Sequence, residues 1–459
     1  MQFTAFELEN FRGISNPVKI DMTDGNPSLP FVIIGDNEAG KTTILEGIRL
    51  IYRLCSGEKL DEYSITSMRP KAPYFNKDTI LTAYLSYSEN EKKAQRKRQD
   101  NSRTNNSDND EMFKVSFAYH FNNSKCYGCS VLINGRKVQP ENEILEWIKE
   151  SIPEIIYHGD FICEVPDKIR FLRSSFLDSS GLTIQEDEFL KSEKNRRWQA
   201  IINDIFVGCY HRSNDGVSCD GLDCDIDFQK SVIDYADEDA VRQNLSAINS
   251  YLNSVIGENW SDINGGKGQS DFYSLERISN GGNWAVDFQL HILSSDRYFS
   301  LHEKSKGFRW FFCFKLLTEI RAKSNRNKNG IVFLLDEPAC HLHIDSQRKV
   351  LSSLKDLLKS EKNKVIYSTH SPYLISDAYE NLFSVRNEIN NNMPPRIVCE
   401  KISDLETLTE ENKRSVHPII QAEWINCLKY KDSVLNFLKE TSDGLGYATK
   451  IISFFKLFL

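Results

Sequence analysis

No stretch of this chain stays apolar long enough to span a bilayer. Its longest apolar runs, Ile331–Leu335 and Ile451–Leu459, fall far short of the ~20 residues a spanning helix needs. The start, Met-Gln-Phe-Thr-Ala-Phe-Glu-Leu-Glu-Asn, has neither the basic region nor the apolar core of a secretory leader. A cytoplasmic protein with no membrane partner is therefore expected. An excess of basic charge is also missing. With a net charge of −8, any contact with nucleic acid would have to use local patches. A sign of cysteine pairing is lacking too: the eleven cysteines are an odd number, scattered along a chain without a secretory signal, so reduced thiols are expected. Only Cys126-Tyr-Gly-Cys129 has ligand-like spacing, with Cys219 and Cys224 as a second pair. A zinc held by all four would need the two segments to meet. The simpler reading makes Cys126 and Cys129 small apolar residues of a hairpin.

What is present reads as an ordinary soluble protein, 40% apolar and 27% charged over 459 residues. That length exceeds one hydrophobic core and implies two or three units. Residues Glu91–Glu111 are polar and low in complexity, with a basic half (Lys92 to Arg103) followed by Asn, Ser and Asp. Such a composition buries too little apolar surface to fold, so a solvated, disordered insertion is expected at 91–111. The sharper alternative is a basic finger for DNA or an acidic partner.

Strand-like runs at Phe3–Leu8, Val18–Ile20, Thr79–Tyr87, Phe113–His120 and Ser130–Ile133 suggest a sheet beside an amphipathic helix at Ile44–Leu54. A buried strand is expected within Ser151–Gly159. Helices are expected at Glu188–Phe206 and Asp237–Ile256, too short for a coiled coil and better read as a compact helical arm. A strand at Trp284–Leu293 and a helix at Phe308–Arg321 follow. The continuous apolar run Ile331–Leu335 reads as a central parallel strand. A helix at Ile344–Leu358 and a strand at Lys364–Tyr367 complete βαβ units. The fold class is α/β.

The chemistry concentrates in Phe31-Val-Ile-Ile-Gly35-Asp-Asn37-Glu-Ala-Gly40-Lys41-Thr42-Thr43, an apolar strand entering a G-x-x-x-x-G-K-T loop that opens a helix. Gly35 and Gly40 are expected to permit positive φ angles and close backbone approach to a polyphosphate. The loop amides and the helix dipole then favour the anion. Lys41 would address the β- and γ-phosphates, and the Thr42 hydroxyl would ligate Mg²⁺. Gly35, Asn37, Gly40, Lys41, Thr42 and Thr43 are the nucleotide-binding candidates of this loop. Asp336 ends the buried strand, where α/β proteins place their ligand chemistry, and could hold Mg²⁺ opposite Thr42. Glu337 is the candidate to deprotonate the attacking water. His370, just past a short apolar strand, could donate to a γ-phosphate oxygen and report its presence.

These residues together resemble ABC-type ATPase heads of the RecF, SMC and OLD kind. Leu8-Glu-Asn-Phe-Arg12-Gly13 is similar to their opening, and the resemblance brings Arg12 to the nucleotide. Gly35–Thr42 resembles their Walker A, Leu334-Leu-Asp-Glu-Pro338 their Walker B, and Ser368-Thr-His-Ser-Pro372 their switch-histidine segment. His341-Leu-His343 and Asp345-Ser-Gln347 resemble the region that follows Walker B. Glu303-Lys-Ser-Lys-Gly-Phe-Arg-Trp310 is similar to the signature of OLD-type and related phage-defence ATPases. By that resemblance, Ser305 and Gly307 would reach a partner's γ-phosphate. The likeness departs in three places. No glutamine lies between Thr43 and Ala94 to serve as a Q-loop, the long SMC arms are absent, and no Toprim-like metal cluster follows His370. Nuclease activity of its own is therefore not expected.

The resemblance implies an ABC-ATPase head with a mixed or parallel sheet, an antiparallel β subdomain and an inserted helical arm. Residues 1–180 would form the N-terminal lobe, 181–265 the arm, 266–390 the C-terminal lobe, and 391–459 a helical tail that binds a partner. It implies ATP and Mg²⁺ as cofactors and a homodimer, or higher oligomer, closing head-to-tail around ATP. The expected function is a slow ATPase switch for a separately encoded effector, such as a nuclease, in anti-phage defence. The alternative is a DNA-binding repair ATPase of RecF type, with Lys92–Arg103 and Arg321–Lys328 as its basic track. A transporter ATPase subunit fits the opening and signature poorly.

Overall fold

The computed structural model describes residues 1–69, 77–87, 112–122, 125–139, 143–159, 166–176, 192–213, 227–263, 271–280, 284–294, 297–316, 318, 329–375, 381–388 and 396–402. The chain opens with strands β1 (Gln2–Glu9), β2 (Val18–Asp21) and β3 (Phe31–Ile34), then the helix Lys41–Cys55. Strands β4 (Thr79–Ser86), β5 (Met112–Asn122), β6 (Lys125–Ile133), β7 (Arg136–Val138), β8 (Glu154–His158) and β9 (Ile169–Leu172) follow. Two helices, Glu193–Ser213 and Glu238–Ile263, precede β10 (Phe272–Asn280), β11 (Ala285–Ser294) and β12 (Arg297–Ser300). Then come the helix Lys306–Lys315, β13 (Ile331–Leu335), the helix Ile344–Leu357, β14 (Lys364–Thr369), β15 (Leu382–Glu388) and β16 (Arg396–Lys401).

The central sheet runs β16-β15-β3-β14-β13-β8. Every pairing from β15 to β8 is parallel, and β16 is an antiparallel edge strand. Its strands are apolar on both faces because both faces are covered. Phe31, Ile33, Val332, Leu334 and Ile366 enter one core, while Val32, Ile34, Phe333, Leu335 and Val365 enter the other. This period-two division is the pleat expressed as packing.

The first core is completed by the antiparallel sheet β2-β1-β4-β5-β6-β7, whose Phe3, Leu8, Leu81, Leu85, Val115 and Phe117 meet Ile44, Leu45, Ile48 and Ile51 of the helix Lys41–Cys55. The second core lies under β10-β11-β12, with β9 paired to β11. The helices expected to form an arm pack here. Trp198, Ile202, Ile205, Ile248, Leu252 and Ile256 share a core with Phe171, Phe288, Phe311 and the central sheet. The α/β organisation, with a mixed central sheet and an antiparallel companion, is as expected.

Two expectations need amendment. The first of those helices begins at Glu193 and continues to Ser213, beyond the expected end at Phe206. Residues 396–401, assigned to a helical tail, form β16, pairing with β15 to close the sheet beside the phosphate loop. Residues 403–459 lie outside the described residues, as do the 91–111 insertion, the Arg321–Lys328 track and the Cys219/Cys224 pair. Cys126 and Cys129 lie on β6, which pairs antiparallel with β5 in the hairpin expected from the sequence. Burial pushes the Cys129 thiol up to about 11. Among the described residues no cluster of three or more His, Cys, Asp or Glu could hold a metal ion.

Candidate functional site

The carboxyl ends of β3, β13 and β14 converge, and the sequence-derived candidates meet there. Gly40 caps the helix Lys41–Cys55 from the left-handed region at φ 105° with no side-chain cap, which leaves the first helical amides free for an anion. Gly35 is a glycine for a different reason than expected, since it is not among the positive-φ residues. A Cβ there would lie 2.2 Å from the Val385 carbonyl oxygen of β15, so it is the neighbouring backbone that demands glycine. Asn37 is exposed at the loop tip, and Thr43 is half-buried in the first helical turn.

Lys41 is buried, and its ammonium has three partners. It donates to the carbonyl oxygens of Gly35 and Asp36, each at 3.0 Å, and lies 3.3 Å from Glu337 Oε1. The Thr42 hydroxyl donates to Asp336 Oδ2 at 2.7 Å, and the Ser368 hydroxyl donates to Asp336 Oδ1 at 2.6 Å. Burial raises the Asp336 carboxyl above its ordinary range, the hydrogen bonds from Ser368 and Thr42 oppose that rise, and the Glu337 charge adds to it. Two hard oxygens, one from Thr42 and one from Asp336, thus stand side by side. They fit Mg²⁺, which is commonly held by one or two carboxylates together with substrate phosphates and water.

Glu337 takes φ 45°, a conformation costing a non-glycine residue about 1 kcal/mol. Its amide donates to Ser368 Oγ at 2.9 Å, so one serine orients both acidic residues. Glu337 Oε2 lies 3.2 Å from His370 Nδ1. Lys41, Glu337 and His370 therefore form a continuous chain at the mouth of the phosphate loop. Ser368 belongs to the histidine segment, yet nothing in the sequence points to its role at Asp336. Its position opposite Asp336 depends on the parallel pairing of β13 with β14.

A second network runs behind His370. The Ser371 hydroxyl donates to Gln347 Oε1 at 2.5 Å, and Gln347 Nε2 donates to the Leu342 carbonyl at 3.0 Å. His341 and Leu342 in turn press on Gly307, where a Cβ would meet the His341 carbonyl oxygen at 2.8 Å. Gly307 is thereby tied to the segment following Asp336-Glu337. Ser305 is exposed, and its hydroxyl accepts from the Phe308 amide at 3.2 Å, capping the helix Lys306–Lys315. The structure joins neither Ser305 nor Gly307 directly to Lys41.

Arg12 takes φ 52°, and its guanidinium pairs with Glu46 of the helix Lys41–Cys55 and donates to the Ser67 carbonyl at 3.1 Å. Two of its three guanidinium nitrogens are thus already engaged. Sequence reasoning gave no role to His158, the last residue of β8. Its carbonyl accepts the Asp336 amide at 2.9 Å, and its ring packs 5.6 Å from Trp310. Burial depresses its pKa to about 4.

Among the described residues no helix is long and apolar enough to cross a membrane. Two solved structures are similar to this chain. One is the SmcHead bound to the C-winged helix domain of ScpA, 16% identical, with a TM-score of 0.47, covering 89% of this chain and 100% of that one. The other is the Smc head domain with an extended coiled coil bound to the C-terminal domain of ScpA derived from Pyrococcus furiosus. It is 14% identical with a TM-score of 0.45, covering 90% of this chain and 99% of that one. Over 75 residues the chain is 36% identical to the uncharacterized protein MJECL43 of Methanocaldococcus jannaschii, a stretch that is 16% of this chain and 19% of that protein. The matched stretch thus spans about a fifth of that relative's length. The model of the AAA ATPase domain family matches residues 1–375, from β1 through the His370 segment. The chain belongs to the AAA ATPase domain family.

Proposed function

We propose that this protein is a Mg²⁺-dependent ATPase whose heads close in pairs around ATP and so switch a separate effector. The observation that carries the reading is the unbroken chain from Thr42 and Asp336 through Ser368 to Glu337, Lys41 and His370. ATP would lay its phosphates on the amides after Gly40, and its γ-phosphate would take the place of Glu337 on the Lys41 ammonium. Thr42 and Asp336 would hold Mg²⁺, which neutralises charge developing between the β- and γ-phosphates. Glu337, freed from Lys41, would accept a proton from the attacking water, and His370 would donate to the γ-phosphate.

The clamp reading draws support from Ser305, exposed at a helix N-terminus rather than buried with Lys41. In the ABC-type heads the motifs resemble, that serine faces the nucleotide of a second copy. Anti-phage defence, with a nuclease as the effector, follows from the likeness of Glu303–Trp310 to OLD-type signatures.

Titration of a fluorescent ATP analogue tests the cradle. Lys41→Ala should weaken ATP by about a hundredfold, the worth of charge-assisted hydrogen bonds to phosphate. Undiminished affinity would refute the assignment. Light scattering with saturating ATP tests the clamp. Native protein that binds ATP yet stays monomeric would reject it. Copurification of the native protein with the product of a neighbouring gene tests the effector.

A further inference from the structure

We infer that Ile397 is a positioning residue for the phosphate loop, and that β15 and β16, beyond the 375 residues matching the family, complete the nucleotide cradle. The inference rests on reading Gly35–Thr43 as the ATP site and goes further, to what holds that loop in shape.

The helix Lys41–Cys55 starts without a side-chain cap, and the Lys41 ammonium ties the loop from within at the Gly35 and Asp36 carbonyls. Gly40 itself is covered from outside the loop. Ile397 is 8% exposed and lies directly over Gly40. A Cβ on Gly40 would be 2.5 Å from Ile397 Cδ1, and one on Gly13 would be 3.1 Å from the same atom. The Ile397 amide also donates to the Gly13 carbonyl at 3.0 Å. One β-branched side chain, stiff at χ1, thus presses the phosphate loop and the Asn10–Gly13 turn together.

The neighbouring strand contributes similarly. The Val385 carbonyl of β15 packs on Gly35 at the start of the loop. The two strands are joined by Arg386 to Glu400 at 2.6 Å and by Arg396 to Glu388 at 2.7 Å. The loop is therefore gripped at both glycines, one by each strand. Phosphate amides aimed by a gripped loop need little reorganisation when ATP arrives, whereas a loosened loop must be ordered by the ligand.

The test compares Ile397 with Ile402, which is equally buried and follows the same strand but packs in the other core. Ile397→Ala and Ile397→Leu, Ile402→Ala and Ile402→Leu, and Ile397→Val are measured for ATP dissociation constant, KM, kcat and melting temperature. Both Ile397→Ala and Ile402→Ala should melt lower. Only Ile397→Ala should raise the ATP dissociation constant and KM, by about tenfold, with kcat at saturating ATP changed far less. Ile397→Val, which keeps the branch but loses the Cδ1 that covers Gly40 and Gly13, should fall between native and Ile397→Ala. Ile397→Leu keeps the volume and the fold, so it decides the matter if the alanine variant does not fold. Equal ATP affinity for the Ile397 and Ile402 variants, whether native or weakened, overturns the inference. Retained affinity in Lys41→Ala would instead refute the ATP site itself, so the two failures are distinguishable.

Discussion

His158 shows how a residue without a role in phosphate chemistry shapes the protein around it. The residue is 1% exposed with its ring against Trp310, Nδ1 3.3 Å from the Gly159 carbonyl and Nε2 without a partner among the described residues. Burial lowers its pKa from 6.5 to about 4. Because the folded value is the lower one, the unfolded chain takes up the proton first as pH falls. The stability is thus fully present above pH 6.5 and is lost progressively toward pH 4, by about 3 kcal/mol. Denaturant unfolding across that window should show the loss in native protein and a flatter profile in His158→Phe, which keeps a ring on Trp310. Parallel profiles would contradict it. Glu337→Gln, tested by ATP turnover, should lower kcat by about a hundredfold or more while ATP still binds, and native turnover would remove Glu337 from the role of base. Asp336, Glu337 and His370 were legible because each sits in a motif whose spacing encodes its chemistry. His158 was not, since nothing near it in sequence announces Trp310, and its burial exists only once β8 pairs with β13.

At the scale of elements, the phosphate loop is a junction between strands as much as a turn before a helix. Gly35 and Gly135 separate the two reasons for glycine. Gly135 joins β6 to β7 at φ 79° with nothing within 4 Å of an added Cβ, so Gly135→Ala should cost only the left-handed penalty, about 1 kcal/mol. Gly35→Ala meets the Val385 carbonyl oxygen at 2.2 Å and must push β15 away from β3. It should cost about 1–3 kcal/mol as overpacking and also weaken ATP, whereas Gly135→Ala leaves ATP affinity unchanged. Chemical denaturation and ATP titration of both variants check this, and equal ATP affinity in the two would reject it. The strands β3 and β13 were readable in advance because burial on both faces forces continuous apolar runs. β16 was not. Its Arg396-Ile-Val-Cys-Glu-Lys carries a single deeply buried residue, and that residue has its reason in Gly13 and Gly40, almost the whole chain away.

For the whole molecule, the decisive question is whether one chain holds a complete catalytic site. Ser305 is exposed and caps its own helix, while Lys41, Asp336 and Glu337 gather elsewhere. If two heads close with two-fold symmetry, each nucleotide is shared between the Lys41 face of one copy and the Ser305 face of the other. Ser305→Asp separates the two possibilities cleanly. Aspartate caps a helix as well as serine does, so the fold is kept, but its carboxylate would repel a γ-phosphate offered by a partner. Lys41→Ala and Ser305→Asp should each abolish turnover alone. Mixed in equal amounts and allowed to exchange, they should recover about a quarter of native activity, because half the dimers are mixed and each of those has one intact site of two. A site complete within one chain gives a different result. Ser305→Asp would then turn over ATP normally, and mixing it with Lys41→Ala would add nothing.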